Sequence, residues 1–299
     1  MSNFHPADPF HLLYPFASHW HDRGGLKYHY LDEGAGPPVV MVHGNPTWSF
    51  FFRGPAAALR DKYRCLVPDH MGMGYSDKPR DYSYTLSTHI DNMEDWLEKT
   101  LPPVSEPHGK VTLFLHDWGG PIGMGYAIRR PERVARLILM NTAVFGAERL
   151  PRRIALVRIP GLGALLAQGL NAFARSAARM TTVKKLPAEV RAGYVRPYNS
   201  WANRVGTLRF VQDVPRKPDA PSWKEFQAIE TALPGFRDRP TLILWGEQDW
   251  CFTPWFLDEW KKRLPEAQIE KYPEGGHYLT EDEGPAVMAR LRAFLAATE

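Results

Sequence analysis

Cysteine is almost missing from this chain. Its 299 residues include two, Cys65 and Cys251, far apart in sequence. They cannot make a disulfide framework and fit no zinc-ligand spacing, so a reducing, cytoplasmic setting is the simplest expectation. Long apolar runs are missing too. None reaches the roughly 18 residues that a membrane span needs. The opening MSNFHPADPFHLLYPF lacks the basic start and unbroken apolar stretch of a signal peptide. Acidic residues are scarce in one region only. Between Gly146 and Lys217 stand fourteen Lys and Arg against Glu148, Glu189 and Asp213. That stretch is +11 in a chain of formal charge +4, which leaves −7 for the rest. Such a split does not suit a uniform nucleic-acid binder. There is no internal repeat and no low-complexity segment. Hydrophobic residues make up 44%, enough for a large core, which excludes a disordered chain.

What is present is a series of short apolar runs that end in glycine or polar residues. LKYHYLDEG (26–34) alternates as a half-exposed strand. PPVVMVHG (37–44), RCLVPDH (64–70), KVTLFLHD (110–117), RLILMNTAV (136–144) and PTLILWGEQD (240–249) read as strands, and QIEKYPEGGH (268–277) as one more. Continuous apolar strands are buried on both faces, as in a parallel sheet. YTLSTHIDNMEDWLEKTL (84–101), GGPIGMGYAIRRPERV (119–134) and the closing PAVMARLRAFLAATE have helical spacing. The pattern predicts an α/β fold, a mostly parallel sheet flanked by helices. Residues 1–143 and 237–299 form its main domain. Residues 144–236 hold no buried-strand run and read as a helical cap inserted between two strands.

In such sheets the chemistry gathers beyond the carboxyl ends of the strands. His43, Asp117, Asn141, Asp249 and His277 all fall there. LFLHDWGG (113–120) is a strand, a carboxylate and a glycine turn leading into a helix, the layout of a nucleophile elbow. Asp117 stands where serine is usual, Gly119 is kept, and Leu115 replaces the first glycine. A sharp elbow exposes one side chain at a helix N-terminus, which favours an ionised carboxylate. The bland alternative is an aspartate that caps the helix. The order Asp117, Asp249, His277 argues against it, because that is the order of nucleophile, acid and histidine in this architecture. A carboxylate nucleophile suits saturated carbon, since water can cleave the resulting ester at its carbonyl. His277, oriented by Asp249, would activate that water. The backbone N–H groups of Asn45 and Trp118 are the candidate oxyanion hole.

HGNPTWSFFFR (43–53), PDHMGMGYSDKP (68–79), HDWGGPIGMGYA (116–127), GEQDW (246–250) and GGHYLTED (275–282) carry a resemblance to the haloalkane dehalogenases of the α/β-hydrolase superfamily. It covers nearly all of the main domain and is weakest in the cap. It implies that the Trp118 indole and the Asn45 side-chain amide hold a leaving halide. Trp48 reads instead as core. Asn141 occupies the position where some members carry a glutamate acid, so the acid falls to Asp249. Asp-His-Asp with an Asn-Trp pair resembles the third subfamily, which also resembles the β-lactone decarboxylases of long-chain olefin biosynthesis. The expected reaction is hydrolytic dehalogenation through an alkyl ester on Asp117, with β-lactone decarboxylation and epoxide hydrolysis as alternatives. Epoxide hydrolases need cap tyrosines, for which Tyr194 and Tyr198 are the candidates. A non-enzymatic relative would show a damaged triad, and none is visible. The expected partner is a small molecule, a haloalkane or a long-chain β-lactone, with no metal, no cofactor and no nucleic acid. The basic cap, with Arg175, Arg179, Lys184 and Lys185, reads as a solvated rim. The sharper reading is a face for a membrane surface or a protein partner. Homo-oligomerisation is left open.

Overall fold

The computed structural model describes residues 10–146 and 151–298. Its eight strands are β1 (His19–Arg23), β2 (Leu26–Glu33), β3 (Pro38–Val42), β4 (Arg64–Pro68), β5 (Val111–His116), β6 (Val134–Met140), β7 (Thr241–Gly246) and β8 (Gln268–Tyr272). They make one sheet in the order β1-β2-β4-β3-β5-β6-β7-β8. β2 runs antiparallel to both neighbours, and every other pair is parallel. Seven of these strands coincide with the apolar runs. β1 does not, because HWHDR at the sheet edge is mostly polar and buries no residue fully. The signal for it is the turn. Gly24 and Gly25 both take positive φ, as a two-residue hairpin between Arg23 and Leu26 requires.

The central strands β3, β5 and β7 are buried at every position because each has a core on both faces. Val40 and Val42 of β3 and Leu113 and Leu115 of β5 join one core, with Met93 and Trp96 of the helix Leu86–Thr100 and Trp260 of Pro254–Arg263. Val39, Met41 and Phe114 join the other, with Leu59 of Arg53–Leu59 and Leu291 of Gly284–Ala297. Cys65 is one of these buried hydrophobes.

Between β6 and β7 the described residues form helices and no strand. The longer ones are Ala172–Met180, Ala188–Val195, Val205–Asp213 and Trp223–Ala232. Buried polar groups tie this segment to the rest. Asp213 Oδ2 and Ser222 Oγ both accept the N–H of Leu86, each at 2.9 Å, at the start of Leu86–Thr100. Asn45 Nδ2 donates to Thr207 O at 3.1 Å.

Phe114 packs edge-on against Phe52 with 5.0 Å between ring centroids, and no solvent reaches it. Phe114→Ala should cost about 3–5 kcal/mol of stability. A guanidinium unfolding midpoint equal to that of the parent would contradict this packing.

Candidate active site

Asp117 follows β5 directly and precedes the helix Gly119–Arg129. Its φ is +52°, a left-handed conformation that turns its carboxylate out above the sheet. Two glycines make room for that turn. A Cβ on Gly119 would overlap the carbonyl of Val42, and one on Gly44 would overlap the Asp117 carboxylate itself. The carboxylate therefore lies against the loop after β3. Asn45 N–H donates to Asp117 Oδ1 at 2.7 Å, and the Trp118 N–H also bonds this carboxylate. Both proposed oxyanion-hole donors thus converge on one point.

His277 lies beyond β8, with Nε2 3.8 Å from Asp117 Oδ2. Its Nδ1 is 2.8 Å from Asp249 Oδ2, which fixes the ring from behind. Asp249 is anchored in turn. Its Oδ2 accepts from Asn141 Nδ2 at 2.9 Å, and its Oδ1 accepts the Cys251 N–H at 2.7 Å. Asn141 also exchanges bonds with the Gly246 backbone, giving through Nδ2 at 3.2 Å and receiving through Oδ1 at 2.9 Å. It therefore couples the ends of β6 and β7. Its chemistry was not assigned from the sequence, although its place at a strand end was.

The remaining candidates separate clearly. Asn45 and Trp118 line a cavity of about 570 Å³ together with Asp117 and His277. The Trp118 ring is braced edge-on by Phe210 and Phe226, and its indole N–H has no acceptor among the described residues. The Trp48 indole is spent on Gly193 O at 3.2 Å, and this ring is core, as read. One hydrogen of the Asn45 amide goes to Thr207 and the other is left over. Sequence inspection missed Thr207 because it lies 162 residues from Asn45. Tyr194 and Tyr198 do not line the cavity. The Tyr194 hydroxyl bonds Glu281, and that of Tyr198 donates to Thr47 O at 3.1 Å. Neither is aimed at a substrate alkoxide.

The rest of the cavity wall is largely apolar. Ile154, Phe173, Val211, Trp223 and Phe226 come from the helices between β6 and β7. Such a wall excludes water and strengthens each electrostatic contact inside. Burial pushes the Asp117 carboxyl above its ordinary value, against the pull of His277 and the N–H groups of Asn45 and Trp118. Burial alone would lower His277, but the charge and hydrogen bond of Asp249, helped by Asp117, outweigh it and leave the imidazole raised. A buried carboxylate 3.8 Å from a histidine nitrogen, in a largely apolar cavity, is an arrangement compatible with covalent catalysis at a hydrophobic substrate.

A family model described as alpha/beta hydrolase fold matches residues 37–284. The chain belongs to this family, and it is an enzyme of the dehalogenase-like branch that its motifs resemble. It is 46% identical over 294 residues to a cis-3-alkyl-4-alkyloxetan-2-one decarboxylase of Shewanella oneidensis, covering 96% of this chain and 91% of the relative. The protein of the same name from Xanthomonas campestris pv. campestris is 40% identical over 285 residues, 91% of this chain and 93% of that one. The crystal structure of haloalkane dehalogenase DatA from Agrobacterium tumefaciens C58 superposes with a TM-score of 0.84 at 26% identity, over 95% of this chain and 97% of that one.

Two tests follow from the geometry. A nucleophilic role would require Asp117 to be ionised, and its pKa is raised, so the ionised form is lost as pH falls through that raised value. The burst-phase rate should therefore drop on the acid side with a midpoint above the ordinary carboxylate value of about 4. A midpoint at or below that value would contradict the buried setting. Asn141→Ala removes a hydrogen bond to a charged group, worth about 1.5–3 kcal/mol. It should lower both turnover and the unfolding midpoint, and a variant unchanged in both would remove Asn141 from the assembly.

Proposed function

We propose that this enzyme is a β-lactone decarboxylase that converts 3,4-dialkyl oxetan-2-ones to alkenes. The observation that carries this reading is the 46% and 40% identity, over nearly the whole chain, to two proteins named for that activity. The haloalkane dehalogenase reading, first in order from sequence motifs, becomes the second. Its support is the likeness to DatA and the Asn45–Trp118 donor pair.

The two readings share their first step. Asp117 Oδ2 attacks the saturated ring carbon C4, the C4–O bond breaks, and its electron pair leaves on the lactone carboxylate. Release of ring strain drives this step. The new carboxylate takes the place a halide would take, against the Trp118 indole and the Asn45 amide. The second step differs. For the lactone, the C3–carboxyl bond breaks, its electrons form C3=C4, and Asp117 leaves C4 as a carboxylate. The products are CO2, the alkene and the original enzyme. Atoms balance with no water, metal or redox group. Inversion at C4 followed by anti departure preserves the ring's cis geometry in the alkene. His277 beside Oδ2 stabilises the departing carboxylate. For a haloalkane, the ester has no carboxylate to lose, and His277 with Asp249 must activate water.

In this reading residues 144–236 act as a cap that closes a dry, elongated pocket over residues 1–143 and 237–299. The enzyme works in the cytoplasm on long, poorly soluble chains. Asp117, His277 and Asp249 are its catalytic residues, and Asn45 and Trp118 hold the leaving anion.

A side-by-side assay tests the reading. A long-chain cis-β-lactone should release alkene and CO2 at a kcat/KM at least about a hundredfold above bromide release from a bromoalkane of similar length, a gap of about 2.7 kcal/mol in transition-state binding. An epoxide should give little diol. Faster bromide release would return the dehalogenase reading to first place. Covalent attack is checked separately. His277→Ala incubated with the bromoalkane should carry an alkyl group on the Asp117 peptide, and an unmodified peptide despite demonstrated binding would sink the ester.

A further inference from the structure

The cap presents a surface that its own fold leaves uncovered. Leu156, Ile159, Leu162 and Leu165 recur at every third position, and with Leu170 they are between 37% and 56% exposed. Five large aliphatic side chains in fifteen residues, each this open, exceed the scattered exposure normal for a protein surface. The ridge continues onto a second segment. A methyl group placed on Gly169 would touch Leu165 and Trp201, each at 3.4 Å, so these two flank it, and Trp201 is itself 54% exposed.

The chain segment that carries the ridge is strongly basic. From Pro151 to Gln212 the chain holds eleven Lys and Arg and one acid, Glu189. Burial, helped by the charge of nearby Arg175, lowers the pKa of Arg204, which bonds the carbonyls of Gln168 and Gly169 beside the ridge. Arg175, Arg179 and Lys185 are exposed, whereas Lys184 is paired with Glu283 at 2.8 Å.

The ridge also meets the cavity. Arg153, Leu156 and Met180 line the cavity and are exposed, so they mark its mouth. Arg153 lies across it, 3.7 Å from the Met180 sulfur and over the Trp250 ring. An apolar ridge, a basic surround and the opening of an apolar cavity share one side of the cap.

We propose that this side of the cap is a docking surface for an anionic phospholipid membrane. The aliphatic ridge and Trp201 enter the headgroup boundary, and the arginines and lysines face lipid phosphates. The cavity mouth then opens toward the acyl chains. Charge complementarity selects the occupant. An aliphatic ridge alone would suit another protein, but a ridge on a segment with eleven basic residues and one acid suits an anionic interface with an apolar interior. This goes beyond the β-lactone reading and does not rest on it, because binding needs no turnover.

The test is co-sedimentation of the full chain with vesicles. Vesicles containing about one-third phosphatidylglycerol in phosphatidylcholine should bind the protein, and pure phosphatidylcholine should bind it more weakly. Raising salt from about 0.1 M to about 0.5 M should weaken binding to the anionic vesicles. Ile159→Ser with Leu165→Ser and Leu170→Ser, and separately Arg175→Gln with Arg179→Gln and Lys185→Gln, should each lower the apparent affinity at least about tenfold. Circular dichroism unchanged from the parent shows that these surface variants fold. No sedimentation with anionic vesicles overturns the proposal, and so does binding indifferent to both sets. A dimer in light scattering that the serine set dissociates, without vesicle binding, also overturns it and assigns the ridge to a second copy.

Discussion

A carboxylate buried in a largely apolar cavity is the constraint that the rest of this structure serves. Asp117 is buried, and burial pushes its carboxyl above the ordinary value. The fold answers with fixed dipoles in place of water. Backbone N–H groups of Asn45 and Trp118 bond the carboxylate, and His277 supplies opposing charge beyond Oδ2. Each of these is useful only if it cannot move. That explains how much of the molecule's buried polarity is spent on positioning loops. Thr142 Oγ donates to the Asp117 carbonyl at 2.6 Å, and His116 Nε2 is 2.9 Å from the His277 carbonyl.

A second buried carboxylate carries out the same task one layer away. Asp69, fully enclosed, accepts from Ser49 N–H at 2.7 Å and Tyr75 N–H at 2.8 Å, and lies 2.7 Å from His29 Nδ1. Next to it, His70 Nε2 is 2.8 Å from the His43 carbonyl and so fastens the start of the loop that presents Asn45. The loop is thus held from below by ring–backbone contacts and from above by Thr207. Asp282 plays a comparable part for the histidine loop, accepting Gly276 N–H at 2.8 Å and Val183 N–H at 3.0 Å. The loops around the candidate site end on charged or backbone anchors.

How much of this could be read in the chain depends on where the partners lie. The parallel strands were legible because a strand with a core on both faces must be apolar at every position, as Val39 to Val42 are. β1 was not, since its exposed edge lets HWHDR stay polar, and only the Gly24–Gly25 turn betrays it. That Asp117, Asp249 and His277 meet in space could be expected because each stands just past a strand. The helices that line the cavity were not ranked, because lining depends on how they pack and no local period encodes it. Tyr194 and Tyr198 show the converse. Both lie in the segment where a cap hydroxyl would be needed, yet their hydroxyls are committed to Glu281 and Thr47. Trp48 and Trp118 look alike as letters, and only the acceptor at Gly193 separates them.

The Asn141–Asp249 contact has a further consequence, for how such a site changes over generations. Two strand ends deliver side chains that meet 2.9 Å apart, and both converge on the carboxylate oxygen that bonds the rear nitrogen of His277. The acid behind the histidine is therefore a shared office with two seats. A lineage that gains a carboxylate at position 141 while keeping Asp249 passes through a state with two acids, one of which takes a proton and survives as a hydrogen-bond donor. Loss of the other carboxylate then completes the exchange without the histidine ever being left unsupported. The amide now at Asn141 fills the second seat with a donor of the same shape as a carboxylate, so in the proposed scheme the acid could move between strands with Asp117 left in place.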